Sequence, residues 1–527
     1  MSGRQKGVVA AGDPQTAEAG ATLLSAGGNA IDAAVAAAFA SFVCEMPLCS
    51  PLGGGVLVVH RAGDEARAFD LFARTPGLEG RGNELDFEGV EVSFGAATQV
   101  FHVGRGSAAV PLALPGLLEL HRRWGARPLA EVVAPAIALG KDGYVLGPGV
   151  AFVFEVLEPI VRRTPECWAL YANPDDPKRL AQRGQRLHNR DLSSTFERIG
   201  AQPEASSRAI ANELVDVFGP KEGGLISVRD IASAQVEEDA PLHTTHRGWE
   251  VLTMPGPSTG GVLVALGARL LDGVEKMPFL SVEHVLRIGR VQEALLSERS
   301  CAGASSFDER CRDRTAVREI LSEARIAERL RVIASNEPLG GYENRLGSTT
   351  HISVIDAEGS AVALTLTNGE GCGHVLPGTG MVVNNLLGEE DLHPRGFHRD
   401  APGSALTTMM APTLLARGTD RIALGSGGSN RLRTAILHVL SAIVDHGLSA
   451  EAAVVAPRLH LERTRLAFEK AGLLPEAVEA LVATYPASPA IFEAPNLYFG
   501  GVHVALRNGG AFGGVGDPRR GGAVAFA

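Results

Sequence analysis

The pattern of hydrophobic and polar positions changes from segment to segment along the chain, with a helical period in some segments and a strand period in others. Residues 7–11 form a short apolar stretch that predicts a strand, and Ala-rich helical patterns follow over 15–26 and 27–43. Between about residues 110 and 330, apolar positions recur at helical spacing among charged ones, which indicates an outer helical layer or lobe. From residue 349 onward short strand patterns dominate, apart from one helical pattern at 431–447. These patterns predict a mixed α and β fold.

Composition and charge narrow the class of protein. The 527 residues are 45% hydrophobic and 21% charged, which is typical of a globular protein, and the net charge of -11 argues against a nucleic-acid partner. The longest apolar run, residues 33–44, is too short to cross a bilayer, and the first residues lack an apolar signal core. We therefore expect a cytoplasmic protein with no membrane contact.

Metal and cofactor chemistry has little support in the sequence. The six cysteines form no CxxC pair, and the 15 histidines form no HxH or HExxH spacing. Six cysteines in so long a chain are also too few for a disulfide framework. We expect neither a metal nor a cofactor.

The tripeptide Thr-Thr-His occurs twice. Thr244-Thr245-His246 precedes an Arg-Gly turn and a short strand, which indicates a structural strand segment. The second copy, at residues 349–351, begins a predicted strand. A turn at 356–359 follows, and residues 360–367 form a second strand antiparallel to the first. This hairpin predicts Thr349 opposite Leu366, with Thr367 diagonally beside Thr349. The polar segment 340–348 before it has the composition of an exposed, cleavable loop.

A threonine at the head of such a strand fits the chemistry of an N-terminal nucleophile. A threonine hydroxyl is a weak nucleophile and needs an adjacent base. Cleavage between Ser348 and Thr349 would free an α-amino group, whose ordinary pKa of about 7.7–8.0 suits that role. The same hydroxyl could attack the Ser348 carbonyl first, which would make the cleavage autocatalytic. The alternative is a structural hairpin, since Thr-rich hairpins are common.

Ten segments in order give the chain a resemblance to a known family. They are GDPQTAEAGATLLSAGGNAIDAAVAAA, PLGGGVLVVH, GLLELHRRWGARPLAEVVAPAIALGKDGY, RGWEVLTMPGPSTGG, STTHISVIDAEGSAVALT, PGTGMVVNN, MMAPTLL, GSGGSNRLRTAILHVL, APRLH and GDPRRGG. Together the segments resemble the γ-glutamyltranspeptidase family of N-terminal-nucleophile hydrolases. The resemblance implies a four-layer αββα sandwich. It also implies self-cleavage into fragments 1–348 and 349–527, which would form one intertwined domain as a heterodimer, or a dimer of heterodimers.

The same resemblance assigns expected catalytic roles. Thr349 matches the nucleophile, and Thr367 matches the threonine that assists it. The glycine pair Gly427 and Gly428 matches the oxyanion hole, although an ungapped alignment from Arg431 shifts the pair to Gly428 and Ser429. A nucleotide-binding loop is the alternative for this Gly-rich segment, but the sixth position is Asn430 rather than glycine.

Substrate contacts follow from the resemblance as well. Asn368 matches an asparagine that contacts the substrate's amino group. The acidic residue for that amino group falls among Glu389, Glu390 and Asp391, with Glu389 favoured by an ungapped count. The loop after Asn368 is about two residues shorter than in well-known members.

Departures from the family pattern concern the substrate. The arginine that holds the γ-glutamyl α-carboxylate is replaced by Phe72 in an ungapped match, and Arg74 lies two residues later. Thr408 and Met409 replace a double serine. These changes weaken recognition of a free amino-acid head group, unless Arg74 turns into the pocket. Both outcomes stay open on the sequence.

Three other features are interpreted as structural. His351 is expected to be a strand histidine bonded to its neighbours, since the α-amino group already supplies a base. Cys372, in the shortened loop, is expected to be a small semi-buried residue. Glycines 53–55 are expected to allow close backbone approach near the site.

The predicted function is therefore that of a threonine hydrolase or acyltransferase acting on a small molecule. The leading substrates are γ-glutamyl amides such as glutathione, with the acyl group passed to water or an amine. The first alternative is another acyl substrate, such as a cephalosporin-type amide or a C–C bond next to a carbonyl in secondary metabolism. The second is an unprocessed, non-catalytic binding member of the fold.

Overall fold

The computed structural model describes residues 5–80, 82, 84–93, 98–300, 306–335, 349–393, 395–462, 465–487 and 489–527. Ser348 and the predicted cleavable loop at 340–348 lie outside the described residues. The helices, α1 to α17, are Pro14–Ser25, Ala30–Cys44, Ala113–Trp124, Leu129–Asp142, Pro148–Val161, Pro165–Tyr171, Arg190–Ala201, Pro203–Phe218, Val228–Ser233, Thr259–Gly273, Val282–Ser300, Phe307–Arg312, Arg314–Ile320, Glu323–Ser335, Leu432–Val444, Ala450–Val455 and Pro475–Thr484.

The strands belong to two large sheets and several small ones. In chain order, β1 to β24 are Gly7–Ala11, Gly54–His60, Arg67–Leu71, Ala73–Arg74, Glu88–Ser93, Thr98–Val103, Val110–Pro111, Tyr144–Val145, Arg186–Leu187, Glu237–Asp239, Leu242–His246, Trp249–Thr253, Thr350–Asp356, Ala361–Thr367, Val375–Leu376, Met381–Val382, Thr413–Arg417, Asp420–Gly427, Leu459–Glu462, Arg465–Glu469, Ala490–Phe492, Gly501–Asn508, Ala511–Val515 and Ala523–Phe526. The seven-stranded sheet has the order β10-β3-β2-β14-β13-β1-β24, and the six-stranded sheet has the order β11-β12-β17-β18-β22-β23.

The two large sheets lie face to face between layers of helices. Strands β13 and β14 of the first sheet pack on β18, and helices α1 and α2 cover the outer face of that sheet. Helices α10 and α15 cover the outer face of the second sheet. This arrangement is the four-layer αββα sandwich, and it confirms the predicted fold class.

Each space between layers has its own apolar core. One core joins α1 and α2 to the first sheet, a second joins α10, α11 and α15 to the second sheet, and a third lies between the sheets. The core between the sheets combines small and β-branched side chains, such as Val56, Ala363 and Ala423, with leucine, methionine and phenylalanine side chains. Small side chains let the two sheets approach closely, so the facing strands hold the ends of β14 and β18 in fixed positions.

Local signals in the sequence explain where the first helices begin. Asp13 caps α1 by accepting the N–H of Gln15, and Pro14 occupies the first helical position. Asn29 and Asp32 form a reciprocal capping box at the start of α2. All of α2 is buried, because its alanines allow close packing on both sides.

The hairpin of β13 and β14 forms as predicted, but its register is one residue different. Thr350, not Thr349, pairs with Leu366, so the next residue back, Thr349, faces Thr367 directly. The turn is longer than the sequence suggested, because Asp356 N–H bonds to the Ser360 carbonyl and Gly359 takes a left-handed φ of 90°. The two threonines are therefore closer neighbours than predicted.

The described helices include none that combines the length and the apolar character needed to cross a membrane.

Candidate active site

Thr349 and Thr367 lie side by side at one end of the central hairpin. Thr349 precedes β13 and is 5% exposed, and Thr367 ends β14 and is 6% exposed. Both line the same open pocket. Its other lining residues are Phe72, Thr259, Arg299, Asp308, Glu389, Asp391, Leu392, Thr407, Thr408, Met409, Met410, Ser429, Asn430 and Leu432. The hairpin thus presents two threonine side chains to one open pocket.

The loop after β14 orients the Thr367 side chain. Thr367 Oγ1 accepts a hydrogen bond from the N–H of Gly369 at 3.1 Å, and Gly369 has a left-handed φ of 60°. A side chain at Gly369 would collide with the carboxylate of Glu389 and the amide of Asn385. The loop therefore needs glycine at this position, where it holds the Thr367 oxygen in place.

The end of β18 lies directly against the backbone of Thr349. A Cβ on Gly427 would overlap the Thr349 carbonyl oxygen, so only glycine allows this approach. Gly428 follows with φ 124°, and Ser429 with φ 51°. Two consecutive residues with positive φ turn the chain sharply before α15. This turn places the backbone of Gly427 against that of Thr349.

Acidic side chains form one side of the cavity. Asp391 Oδ2 accepts hydrogen bonds from Ser429 Oγ at 3.0 Å and from Asn430 Nδ2 at 3.3 Å. Burial and, to a lesser extent, the nearby Asp391 carboxylate raise the pKa of Glu389 to about 8. Glu389 therefore keeps its proton at neutral pH. Of the three acidic candidates, Glu389 and Asp391 line the cavity and Glu390 does not.

Besides Glu390, two other predicted substrate-binding residues do not line the cavity. Asn368 is 1% exposed, and its side-chain amide finds no hydrogen-bond partner among the described residues. Arg74 lies in β4 with its guanidinium in ion pairs to Asp70, at 3.1 Å, and Glu237, at 3.3 Å. It also donates to the Gln235 carbonyl at 2.9 Å. This arrangement does not support the expectation that Arg74 turns into the pocket.

The residues that differ from the family pattern do face the cavity. Phe72, Thr408 and Met409 all line it. Phe72 is 1% exposed, and Thr259 Oγ1 lies 3.0 Å from Met409 Sδ. Phe72 and Met409 therefore add apolar surface to this part of the cavity.

Comparisons with known proteins agree with this geometry. The sequence model of the family described as gamma-glutamyltranspeptidase matches residues 16–527. The chain belongs to the gamma-glutamyltranspeptidase family. It is 32% identical over 495 residues to the acylase ACY 1 proenzyme of Pseudomonas sp. (strain SE83), covering 91% of this chain and 86% of that one. It is 26% identical over 504 residues to the glutathione hydrolase proenzyme of Escherichia coli (strain K12), covering 91% and 85%.

A solved structure supports the same fold. The cephalosporin acylase from Bacillus halodurans superposes with a TM-score of 0.81 at 23% identity, covering 99% of this chain and 96% of that one. Members of the gamma-glutamyltranspeptidase family are N-terminal-nucleophile hydrolases, and this chain has their fold. The resemblance noted from the ten segments is thereby confirmed.

Two cavity residues of this gamma-glutamyltranspeptidase-family chain were not foreseen from the sequence. Arg299, on α11, and Asp308, on α12, bring opposite charges to the cavity. Burial raises the pKa of Asp308, and the Arg299 charge opposes that rise. Both belong to or adjoin a segment that looked like surface helices, and no motif marks them.

The features interpreted as structural are bonded within the fold. His351 is fully buried, with Nδ1 2.8 Å from Thr365 Oγ1 and Nε2 2.9 Å from Ser353 Oγ. Cys372 is also fully buried, and burial raises its pKa to about 12. The first tripeptide lies in β11, where His246 Nε2 is 2.9 Å from Asp445 Oδ1. Among the described residues no group of three or more His, Cys, Asp or Glu could hold a metal ion.

A buried carboxyl group supports the strand that follows Thr349. Glu45, at the end of α2, is fully buried. Its two carboxylate oxygens accept hydrogen bonds from Thr16 Oγ1 at 2.6 Å and Thr350 Oγ1 at 2.5 Å. Burial, and then the nearby Asp13 carboxylate, raise the pKa of Glu45 from 4.5 to about 7. The folded state therefore binds a proton at Glu45 more tightly than the unfolded state does.

This raised pKa predicts that the folded protein loses stability as pH rises. Between the ordinary pKa of 4.5 and the folded pKa of about 7, the unfolded state releases the Glu45 proton first. The Glu45 contribution should weaken by about 2–3 kcal/mol across that interval. The free energy of unfolding, measured with urea at several pH values in this range, should fall with pH in the wild type. It should fall less steeply in Glu45→Gln. Glu18→Gln, at an exposed position on α1, is the control, and equal slopes in wild type and Glu45→Gln would contradict the prediction.

Proposed function

We propose that this protein is a self-processing N-terminal threonine hydrolase. Cleavage between Ser348 and Thr349 would leave Thr349 with a free α-amino group beside its own hydroxyl. The α-amino group takes the hydroxyl proton as Oγ1 attacks a substrate carbonyl carbon. Backbone N–H groups at the Gly427 to Ser429 turn stabilise the oxyanion. The amine leaves with the proton, and water or a second amine then releases the acyl group from Thr349.

The strand order supports an intertwined heterodimer after cleavage. Strands β13, β14 and β24 belong to residues 349–527, whereas β1, β2 and β3 belong to residues 1–348. In the first sheet β14 lies between β2 and β13, and β1 lies between β13 and β24. The fragments 1–348 and 349–527 would therefore stay together through shared sheet hydrogen bonds and the common cores. The names of the relatives as proenzymes support the same expectation.

The acyl group we propose is apolar rather than γ-glutamyl. The observation that carries this choice is the position of three side chains: Phe72 and Met409 line the cavity, while Arg74 is held outside it by Asp70 and Glu237. A free α-carboxylate placed against Phe72 and Met409 would not pair with Arg74, so its desolvation there would be compensated only if it reached Arg299 elsewhere in the cavity. Similarity to the acylase ACY 1 proenzyme favours the same substrate class, an amide of another carboxylic acid.

A γ-glutamyl amide is the second candidate. Glu389 and Asp391 offer two carboxyl groups to an ammonium group, as a γ-glutamyl head group would require. An ammonium group beside Glu389 would favour its ionised form and remove the proton it holds at neutral pH. The part of the cavity that would bind the substrate's ammonium group is therefore compatible with glutathione-type substrates.

Two chromogenic anilides separate the candidates. Wild type is expected to hydrolyse hexanoyl-p-nitroanilide with a kcat/KM at least about tenfold above that for γ-glutamyl-p-nitroanilide. The double variant Phe72→Arg/Met409→Ser should shift this ratio toward the γ-glutamyl substrate. Met410→Leu, which changes another cavity residue without adding a polar group, should leave the ratio unchanged. A wild-type preference for the γ-glutamyl anilide would overturn the proposed acyl class in favour of the second candidate.

A further inference from the structure

Two adjacent arginines near the end of the chain have opposite environments. Arg519 is fully paired: its guanidinium contacts Glu469 at 2.6 Å and Asp517 at 3.4 Å, and donates to the Val454 carbonyl at 2.7 Å. The Arg520 guanidinium has neither a hydrogen bond nor an ion pair with any described residue, and its Nε atom is buried. Packing alone does not explain why a second charge is placed here.

The Arg520 side chain runs behind the proposed oxyanion turn. Its Cγ and Cδ atoms lie within 3.0 Å of the point where a Cβ on Gly501 would stand. Its Nη1 is 3.4 Å from the corresponding point at Gly427, and its Nη2 is 3.2 Å from that at Gly428. Three glycines thus make room for this one side chain. The Gly427 Cβ point also overlaps the Thr349 carbonyl, so the guanidinium and the nucleophile flank the same residue.

Within the part of the chain that the structure describes, no carboxylate forms an ion pair with Arg520. Burial and then Arg431 lower the pKa of Arg520 to about 10, so the guanidinium stays protonated at neutral pH. Asp517 is the nearby acid, but its carboxylate already binds Arg458 at 2.6 Å and Arg519. A partly buried cation without a counter-ion is costly in the resting protein. The free-energy cost of burying the Arg520 cation falls when a negative charge develops next to it.

We propose that Arg520 is a positioning residue whose charge, acting through the Gly427–Gly428 turn, stabilises the oxyanion formed when Thr349 attacks. This inference rests on the proposed function. As the Thr349 Oγ1–carbon bond forms, the carbonyl π electrons move to the oxygen, and the hydroxyl proton moves to the α-amino group. Backbone N–H groups contact the oxyanion, and Arg520 adds positive potential from behind them. When the carbon–nitrogen bond breaks, the negative charge disappears.

This role predicts an effect on kcat and none on KM, because the oxyanion exists only after attack. Arg520→Met should lower kcat for hexanoyl-p-nitroanilide by about tenfold, less than the loss of a direct oxyanion donor. Arg520→Lys, which keeps the charge, should stay within about threefold of wild type. Arg421→Met removes a half-buried arginine at the other end of β18 and should leave kcat unchanged. Intact mass and melting temperature identify any variant that fails to cleave or to fold.

The possible outcomes distinguish the role of Arg520 from the threonine mechanism on which it rests. Equal kcat values for wild type and Arg520→Met would overturn the role of Arg520 while leaving the threonine mechanism intact. A rise in KM without loss of kcat would also overturn it, because the guanidinium would then bind a ground-state carboxylate. If Arg520→Met misfolds, Arg520→Lys supplies the test. A kcat for this variant about tenfold below that of wild type would count against a role for the charge. A processed wild type that hydrolyses neither anilide overturns the proposed function, and the Arg520 inference with it.

Discussion

Thr349→Ala is expected to remain a single chain of 55.1 kDa and to lose hydrolase activity. The variant lacks the hydroxyl that attacks Ser348 and the substrate, and without cleavage no α-amino group forms. Loss of a nucleophile of this kind costs at least about 10⁴-fold in kcat. Intact-mass spectrometry with N-terminal sequencing checks the cleavage, and release of p-nitroaniline checks the activity.

Thr244→Ala is the matched control for Thr349→Ala, because the same tripeptide surrounds it in β11. This variant should be cut into fragments 1–348 and 349–527 as fast as wild type, since Thr244 lies on an edge strand of the second sheet. A wild-type chain that stays whole through long incubation would contradict the processing hypothesis. The non-catalytic binding hypothesis would then be the better explanation of the fold.

Gly427→Ala is expected to lower kcat by about 100-fold, since displacing a reacting group by about 1 Å has an effect of that size. The new methyl group would overlap the Thr349 carbonyl oxygen and come within 3.4 Å of Arg520 Nη1. The Thr349 carbonyl cannot move freely, because the Thr349 backbone leads directly into β13 at the centre of the sheet. The nucleophile would therefore shift away from the oxyanion turn. Anilide hydrolysis and the rate of self-cleavage both report this shift.

Gly418→Ala serves as the control for Gly427→Ala. Gly418 lies in the turn before β18, with no heavy atom within 4 Å of its Cβ position. Its left-handed φ of 57° should reduce stability by about 1 kcal/mol without changing kcat. If Gly427→Ala turns over substrate as fast as Gly418→Ala, the close approach of β18 to Thr349 has no catalytic role.

Local patterns were sufficient for the central hairpin but not for its register. Strand patterns on both sides of residues 356–359 predicted β13 and β14, and a Thr349–Thr367 pair followed from them. The one-residue error arose in the turn, where Gly359 and Ser360 adopt a longer connection than a four-residue turn provides. Turn geometry depends on a balance of local hydrogen bonds that composition alone does not reveal.

The cavity wall shows a second limit of local reasoning. The alternatives for Arg74, turning inward or staying outside, differ only in which partner its guanidinium finds. Asp70 lies four residues away, but Glu237 and the Gln235 carbonyl come from a distant part of the chain. Arg299 and Asp308 reach the cavity because α11 and α12 pack beside the second sheet. Their sequence neighbours carry no motif that indicates a site.

The sequence by itself determined the family, the sandwich fold and the threonine at the head of a hairpin. The hairpin follows from periodicity, whereas the family and the sandwich fold follow from the resemblance that an ordered set of local segments carries. Only the tertiary structure decided which side chains meet around that threonine. It placed Phe72 and Met409 in the cavity, kept Arg74 outside it and set Arg520 behind the glycine turn. The reason is physical: a charged or apolar side chain takes its role from the partners and the burial that distant strands and helices supply.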